Sequence, residues 1–277
     1  MSANIDYFAV DWNGTNSEVL RRLKPYAELV LLAGLNRSPE DPALRAVETL
    51  THRWLRCHPP HATKLLEVVL EFPQAFTWVG SIWQFMKRAN VPSHGLEKTV
   101  RRLCGLNGIL YFERDVGQEI SIYFILKQLG IRQPFSLGKL HSRTMVNKRA
   151  WDVASDTAIY CICHDIFFLT NWGELRLRGR MRPAYEWHGK LQSWYQRCLA
   201  AENFDLAAEI FIAMSFLHGG RVSQKFACES ARVEDPRLPN PPEGQGAGFN
   251  RAGDSEGRQQ FYRHYHTIIA CMLAMRH

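Results

Sequence analysis

The sequence predicts an all-α protein built from antiparallel helical hairpins. Two observations carry that expectation. Apolar residues recur at i, i+3, i+4, i+7 spacing along most of the 277 residues, which marks one buried face per helix. Proline, glycine and capping residues cut the pattern into pieces of roughly 10 to 20 residues, the usual length of globular helices. Short connections between such pieces make neighbouring helices antiparallel.

The elements follow in order. Asn16 and Ser17 offer a cap for a helix carrying Val19, Leu20, Leu23, Tyr26, Ala27, Val30 and Leu31, stopped by Gly34 and Asn36. Pro39-Glu40-Asp41-Pro42 opens a second, with Leu44, Val47, Leu50, Trp54 and Leu55 on one face. Pro59 and Pro60 end it, and Lys64–Phe72 begins again. Further helices are expected at Phe76–Arg88, Gly95–Cys104, Val116–Leu129, Trp151–Thr170, Pro183–Ala201, Phe204–Leu217 and Arg258–Met275. Two stretches compete as strands: Gly108–Glu113, and Ile120–Leu126 with its β-branched and aromatic residues. No strict repeat supports a short-period solenoid. The expected organisation is a helical body over 1–235, a Pro/Gly-rich loop over 236–257 and a C-terminal helix over 258–277 that packs back on the body. A loop of that length and composition is a surface connection or an active-site cover.

Composition narrows the class. Apolar residues at 46% and charged residues at 22% exclude disordered and fibrous chains. A net charge of +7 invites an acidic partner. Seven cysteines at scattered spacings, with no basic and apolar leader at the start, favour reduced thiols and a cytoplasmic setting over a disulfide scaffold. No apolar run approaches the roughly 18 residues of a membrane span. P-loop, GxGxxG, GxSxG, HExxH and CxxC patterns are absent, so no cofactor is expected. Nucleic acid is a poor fit, because no aromatic–basic platform accompanies the basic residues.

Two polar clusters stand out. Cys161-Ile-Cys163-His164-Asp165 lies inside an apolar helical run and leads into Thr170-Asn171-Trp172-Gly173. Zinc is the first thought for Cys and His, but residues two apart on a helix point to different sides, so a local metal site is not expected. Acid–base chemistry suits the cluster better, since imidazole exchanges protons near neutral pH. His164 and Asp165 diverge by about 100° on a helix, so His164 could face a cavity while Asp165 orients another helix. A buried structural histidine is the plainer alternative. The second cluster, Tyr262-Arg263-His264-Tyr265-His266, aims His266 inward by its spacing from Tyr262 and Ile269. His218 stands at a helix C-terminus, where a cation is favoured, and His141 is ambiguous. Arg176, Arg178, Arg180 and Arg182 alternate in an extended basic strip that suits an acidic peptide or a solvated loop alike.

His164-Asp165 running into Thr170-Asn171-Trp172-Gly173, with Tyr265-His266-Thr267-Ile268, resembles a bacterial family of all-helical proteins found with natural-product and modified-peptide pathways. That family's boxes read His-Asp…Thr-Asp-Phe-Gly and Tyr-His-Thr-Thr; here Asn171 replaces an acid and Ile268 a threonine. The likeness extends over Glu113-Arg114 to Leu126. It implies an α/α ring similar in outline to lanthionine cyclases, without their Cys…Cys-His-Gly zinc pattern. The implied activity is metal-independent thioether closure in a precursor peptide. His164, His266, Asp165 and Tyr265 would handle protons, and Thr170, Trp172, Arg176, Arg178, Arg180 and His218 would hold substrate. The rival expectations are a non-catalytic peptide- or protein-binding module and a helical hydrolase or lyase on a small metabolite.

Overall fold

The computed structural model describes residues 2–35, 42–93, 95–147, 155–177 and 186–217. The expected loop over 236–257 and helix over 258–277 lie outside them, as do Arg178, Arg180, His218, Tyr265 and His266. Within them the fold is all-α. Eleven α-helices run in order: α1 (Asn16–Gly34), α2 (Pro42–Cys57), α3 (Ala62–Glu71), α4 (Phe76–Arg88), α5 (Leu96–Cys104), α6 (Asn107–Leu110), α7 (Val116–Gln128), α8 (Leu137–Arg143), α9 (Asp156–Leu169), α10 (Glu186–Ala200) and α11 (Phe204–Leu217). Short 3₁₀ turns lie at Ser2–Phe8, Pro73–Ala75 and Met145–Asn147.

The first half is held by α1 packed on α4. Gly34 makes this possible: a Cβ there would sit 2.6 Å from the Phe85 carbonyl oxygen, so only glycine admits the approach. Val19, Leu23, Tyr26, Leu29, Val30 and Leu32 of α1 are buried against α4 and its neighbours. The cap of α1 is Thr15 rather than the expected Asn16 or Ser17. Thr15 Oγ1 accepts from Glu18 N–H while Glu18 Oε2 accepts from Thr15 N–H, a reciprocal capping box.

From α4 the principal contacts pass to α7, then α9, then α11, with α10 against α11. None of them joins α11 back to α1 among the described helices. Neither stretch for which a strand was the alternative forms one, and the helix expected over Val116–Leu129 is α7. Ile120–Leu126 falls inside α7, whose Ile120, Ile122, Phe124, Ile125 and Leu126 are buried on nearly every side. A helix at the centre of a helical protein needs no polar face, and that removes the periodicity that would have distinguished it from a strand. Gly108–Glu113 forms α6 and a turn gathered by Arg114. The buried Arg114 guanidinium donates to the carbonyls of Ile109 (2.7 Å), Phe112 (2.9 Å) and Pro73 (2.9 Å).

Candidate functional site

The candidate side chains come from α9 and α11. Ser155 caps α9, its hydroxyl accepting from Ala158 N–H. Two matched rungs then join the helices. The Tyr160 hydroxyl donates to Asp205 Oδ2. Four residues on, His164 Nε2 lies 3.1 Å from Glu209 Oε2 and 3.3 Å from Oε1. Both partners advance by four together, so α9 and α11 run parallel, with α10 as the return leg. Arg197 of α10 meets Asp156 at the start of α9 (3.2 Å), and Asn203 Nδ2 donates to the same carboxylate.

The dyad is asymmetric in exposure. The His164 side chain is 49% exposed and that of Glu209 only 3%. This differs from the inward histidine expected from the sequence: the carboxylate is buried and the imidazole stands at the surface. Burying a long acid needs a compensating donor, which His164 provides. The ring lies among aromatics, with Tyr160 at 6.3 Å, Phe167 at 5.8 Å and Phe168 at 6.4 Å between centroids. Burial and the charges of Asp205, Glu209 and Asp156 push the Tyr160 phenol far above its ordinary range, so it remains a proton-bearing donor to Asp205.

Asp165 faces away from the dyad. It is 4% exposed, and its Oδ2 accepts from the backbone N–H groups of Met145 (2.6 Å) and Val146 (3.3 Å). Thr170 and Trp172 form the turn that ends α9. The buried Thr170 hydroxyl donates to the Ile166 carbonyl (2.7 Å) and accepts from Gly173 N–H (3.1 Å). Asn171, Trp172 and Gly173 all adopt left-handed backbone, at φ 50°, 59° and 79°. For a bulky residue such as Trp172 that conformation is strained and persists only where the surroundings dictate it. They do: Gln84 of α4 donates to Asn171 Oδ1 (3.1 Å), Asn171 Nδ2 to Glu174 (2.7 Å), and Arg88 to Glu174 (3.0 Å). The Trp172 indole then stacks on Phe167 and meets the edges of Phe168 and Phe85. Arg176 is exposed past this turn.

The cysteines divide by burial. Cys163 and Cys198 are buried and Cys161 is exposed. Burial pushes all three thiols up, Cys163 furthest, so none is set up as a thiolate. Among the described residues no group of three or more His, Cys, Asp or Glu could hold a metal ion. A cleft of about 600 Å³ opens elsewhere, beside the first turns of α1, lined by Asp6, Asp11, Glu18, Arg21 and Arg22. It shares no lining residue with the dyad and carries both signs of charge.

The structure therefore brings His164 together with Glu209, Tyr160 and Asp205, three groups the sequence reading passed over. A signal for Glu209 existed: it is the single charge in Leu206–Phe216, an otherwise apolar run. The equal spacing of Tyr160/His164 and Asp205/Glu209 was a second. Among the described residues no helix is long and apolar enough to cross a membrane. No curated protein and no solved structure matches the chain. A family model does, over residues 1–275: the chain belongs to the family described as a domain of unknown function, DUF6895.

Proposed function

We propose that the chain is a metal-independent acid–base enzyme whose working pair is His164 and Glu209. The observation that carries this reading is a half-exposed imidazole set 3.1 Å from a buried carboxylate. A carboxylate at Nε2 keeps the proton on that nitrogen and directs the basic lone pair to Nδ1. It also stabilises the imidazolium once a proton has been taken. A histidine serving only to satisfy Glu209 would have no need to keep half its surface in water.

The favoured reaction is thioether ring closure in a precursor peptide, the activity implied by the resemblance of the His164 and His266 boxes. A cysteine S–H gives its proton to His164, and sulfur bonds to the β carbon of a dehydrated Ser or Thr. The double-bond pair moves towards the neighbouring carbonyl as an enolate, and a proton from His266 completes the α carbon. No electrons enter or leave overall. Each proton transfer is worth roughly 10²–10⁴-fold in rate. Arg176, with Arg178 and Arg180 beyond it, would attract an acidic peptide. Ring closure of the helices and a cytoplasmic setting belong to the same reading. The test is cyclisation of a dehydrated, cysteine-containing peptide, followed by thiol alkylation and mass spectrometry, with His164→Ala and His266→Ala. Full activity in both variants ends the proposal.

One observation favours a second reading, a non-catalytic binding module. Leu106, Tyr111 and Phe112 are exposed on the segment that Arg114 holds rigid, and rigid exposed aromatics suit docking. A binder would tolerate His164→Asn and lose its partner on Tyr111→Ser.

A further inference from the structure

Asp165 adjoins the proposed base in sequence but belongs to a different contact. Its carboxylate reaches across to the Met145–Asn147 turn and takes two backbone N–H groups. That turn follows α8 directly, since Thr144 N–H donates to the His141 carbonyl and Thr144 Oγ1 accepts from Asn147 N–H. One short donor at 2.6 Å and a longer one at 3.3 Å on the same oxygen favour an ionised carboxylate, and a charged acceptor makes roughly twice the bond of a neutral one. The same group is buried, which disfavours its charge. The two demands oppose each other at one oxygen, and the winner depends on the proton.

The surrounding charges do not resolve the conflict. Asp115 at the head of α7 adds to the effect of burial, and His164 on the same helix works against it. Cys161, one turn earlier, has its thiol pushed up by burial and by Asp165 itself. The 3₁₀ turn contributes no titratable side chain. On α8, His141 is buried and held below its ordinary range by that burial, while Arg143 is taken up by Glu119 of α7. On the α11 side, Asp205 and Glu209 pair with Tyr160 and His164.

We propose that Asp165 is a positioning residue acting as a proton-operated latch: ionised, it clamps the Met145–Asn147 turn to α9 and fixes the face that His164 presents; protonated, it relaxes that clamp. Burial, the largest influence, pushes the carboxyl up to about 6 against the pull of the two N–H donors, so the change of state falls just below neutral pH. The latch itself is independent of any reaction. Its effect on turnover rests on the acid–base reading of His164.

The experiment has two arms on the full chain. In the first, the backbone amide resonances of Met145 and Val146 are followed by NMR from pH 4.5 to 8 in the wild type and in Asp165→Asn. Both amides are expected to move downfield with one midpoint near 6, and to stay fixed in the variant. Amides that do not titrate, or that titrate equally in Asp165→Asn, overturn the latch. In the second, the pH–rate profile is measured with the dehydrated, cysteine-containing peptide. His164 shapes both profiles alike, so the ratio of wild-type to Asp165→Asn turnover is the readout: it is expected to rise from near one at pH 4.5 to about tenfold at pH 8, the scale of a small misplacement. A ratio that does not change with pH overturns the positioning role. If the amides titrate as expected while His164→Asn retains full turnover, the acid–base reading fails and the latch stands.

Discussion

The α1–α4 pair and the α9–α11 pair solve the same packing problem in opposite ways. Between α1 and α4 a glycine lets two backbones close on each other, and apolar side chains do the rest. Between α9 and α11 the chain places a phenol, an imidazole and two carboxylates, then ends α9 in a strained turn tied to α4. Apolar packing alone would stabilise the second pair at lower desolvation cost. Polar rungs and a surface-exposed imidazole on one helix pair are what the proposed acid–base role would use. The contrast marks the same helix pair as the proposed site without reference to any motif.

The contrast can be broken first on its stable side. Phe85→Ala removes a buried α4 ring that meets Trp172, from the residue whose backbone Gly34 approaches, and is expected to cost about 3–5 kcal/mol of unfolding free energy, read by denaturant titration. Loss below about 1 kcal/mol would mean that the α1–α4 contact is not the strong half.

On the polar side the sign reverses. The Asp165 carboxyl titrates near 6 when folded against an ordinary 3.8. A raised acid pKa means the folded state binds the proton more tightly. Its contribution is therefore present at low pH and lost as pH rises from about 4 through about 6. By pH 7 the loss is about 3 kcal/mol. Asp165→Asn, which keeps an acceptor oxygen without the charge, is expected to melt higher than the wild type at pH 7.5 and equally at pH 4. A variant less stable at both values would make Asp165 an ordinary structural acid.

Glu209→Gln should leave the fold near its wild-type stability while lowering turnover about 10²-fold, with recovery as pH is raised absent. Parallel melting and rate measurements separate the two effects. The smallest expected change is Thr15→Ala at the head of α1, about 1 kcal/mol from the lost capping box, visible as a small shift in the melting midpoint and none in turnover.

Much of the fold could be read from residue spacing, because α1, α4 and α5 each follow helical apolar periodicity between clear stops. The α7 helix was expected over Val116–Leu129, but a strand stayed open for Ile120–Leu126, which is apolar all round and leaves no period to decide between the two. Arg114 was illegible for a different reason. Flanked by Glu113 and Asp115 it resembles solvated charge, yet it is buried and bound to carbonyls. For the site, His164 announced itself by sitting polar in an apolar run. Glu209 lies 45 residues away, and only the parallel pairing of α9 with α11 makes them partners. Asp165 was legible as an orienting group facing away from His164, while the turn it holds was not.

The two rungs between α9 and α11 repeat at an interval of four residues on both helices, close to one helical turn. A slide of α9 along α11 by four residues, about 6 Å, would bring His164 opposite Asp205 but set Phe168 against Glu209, leaving a buried carboxylate without its donor. The lower rung therefore holds the register as well as the proton. Further ties stand at the two ends: Asp156 bound to Arg197 and Asn203 at the start of α9, and the Thr170–Gly173 turn gripped by Gln84 at its finish. Cutting both ties would leave the buried acid as the group that keeps α9 in its seat.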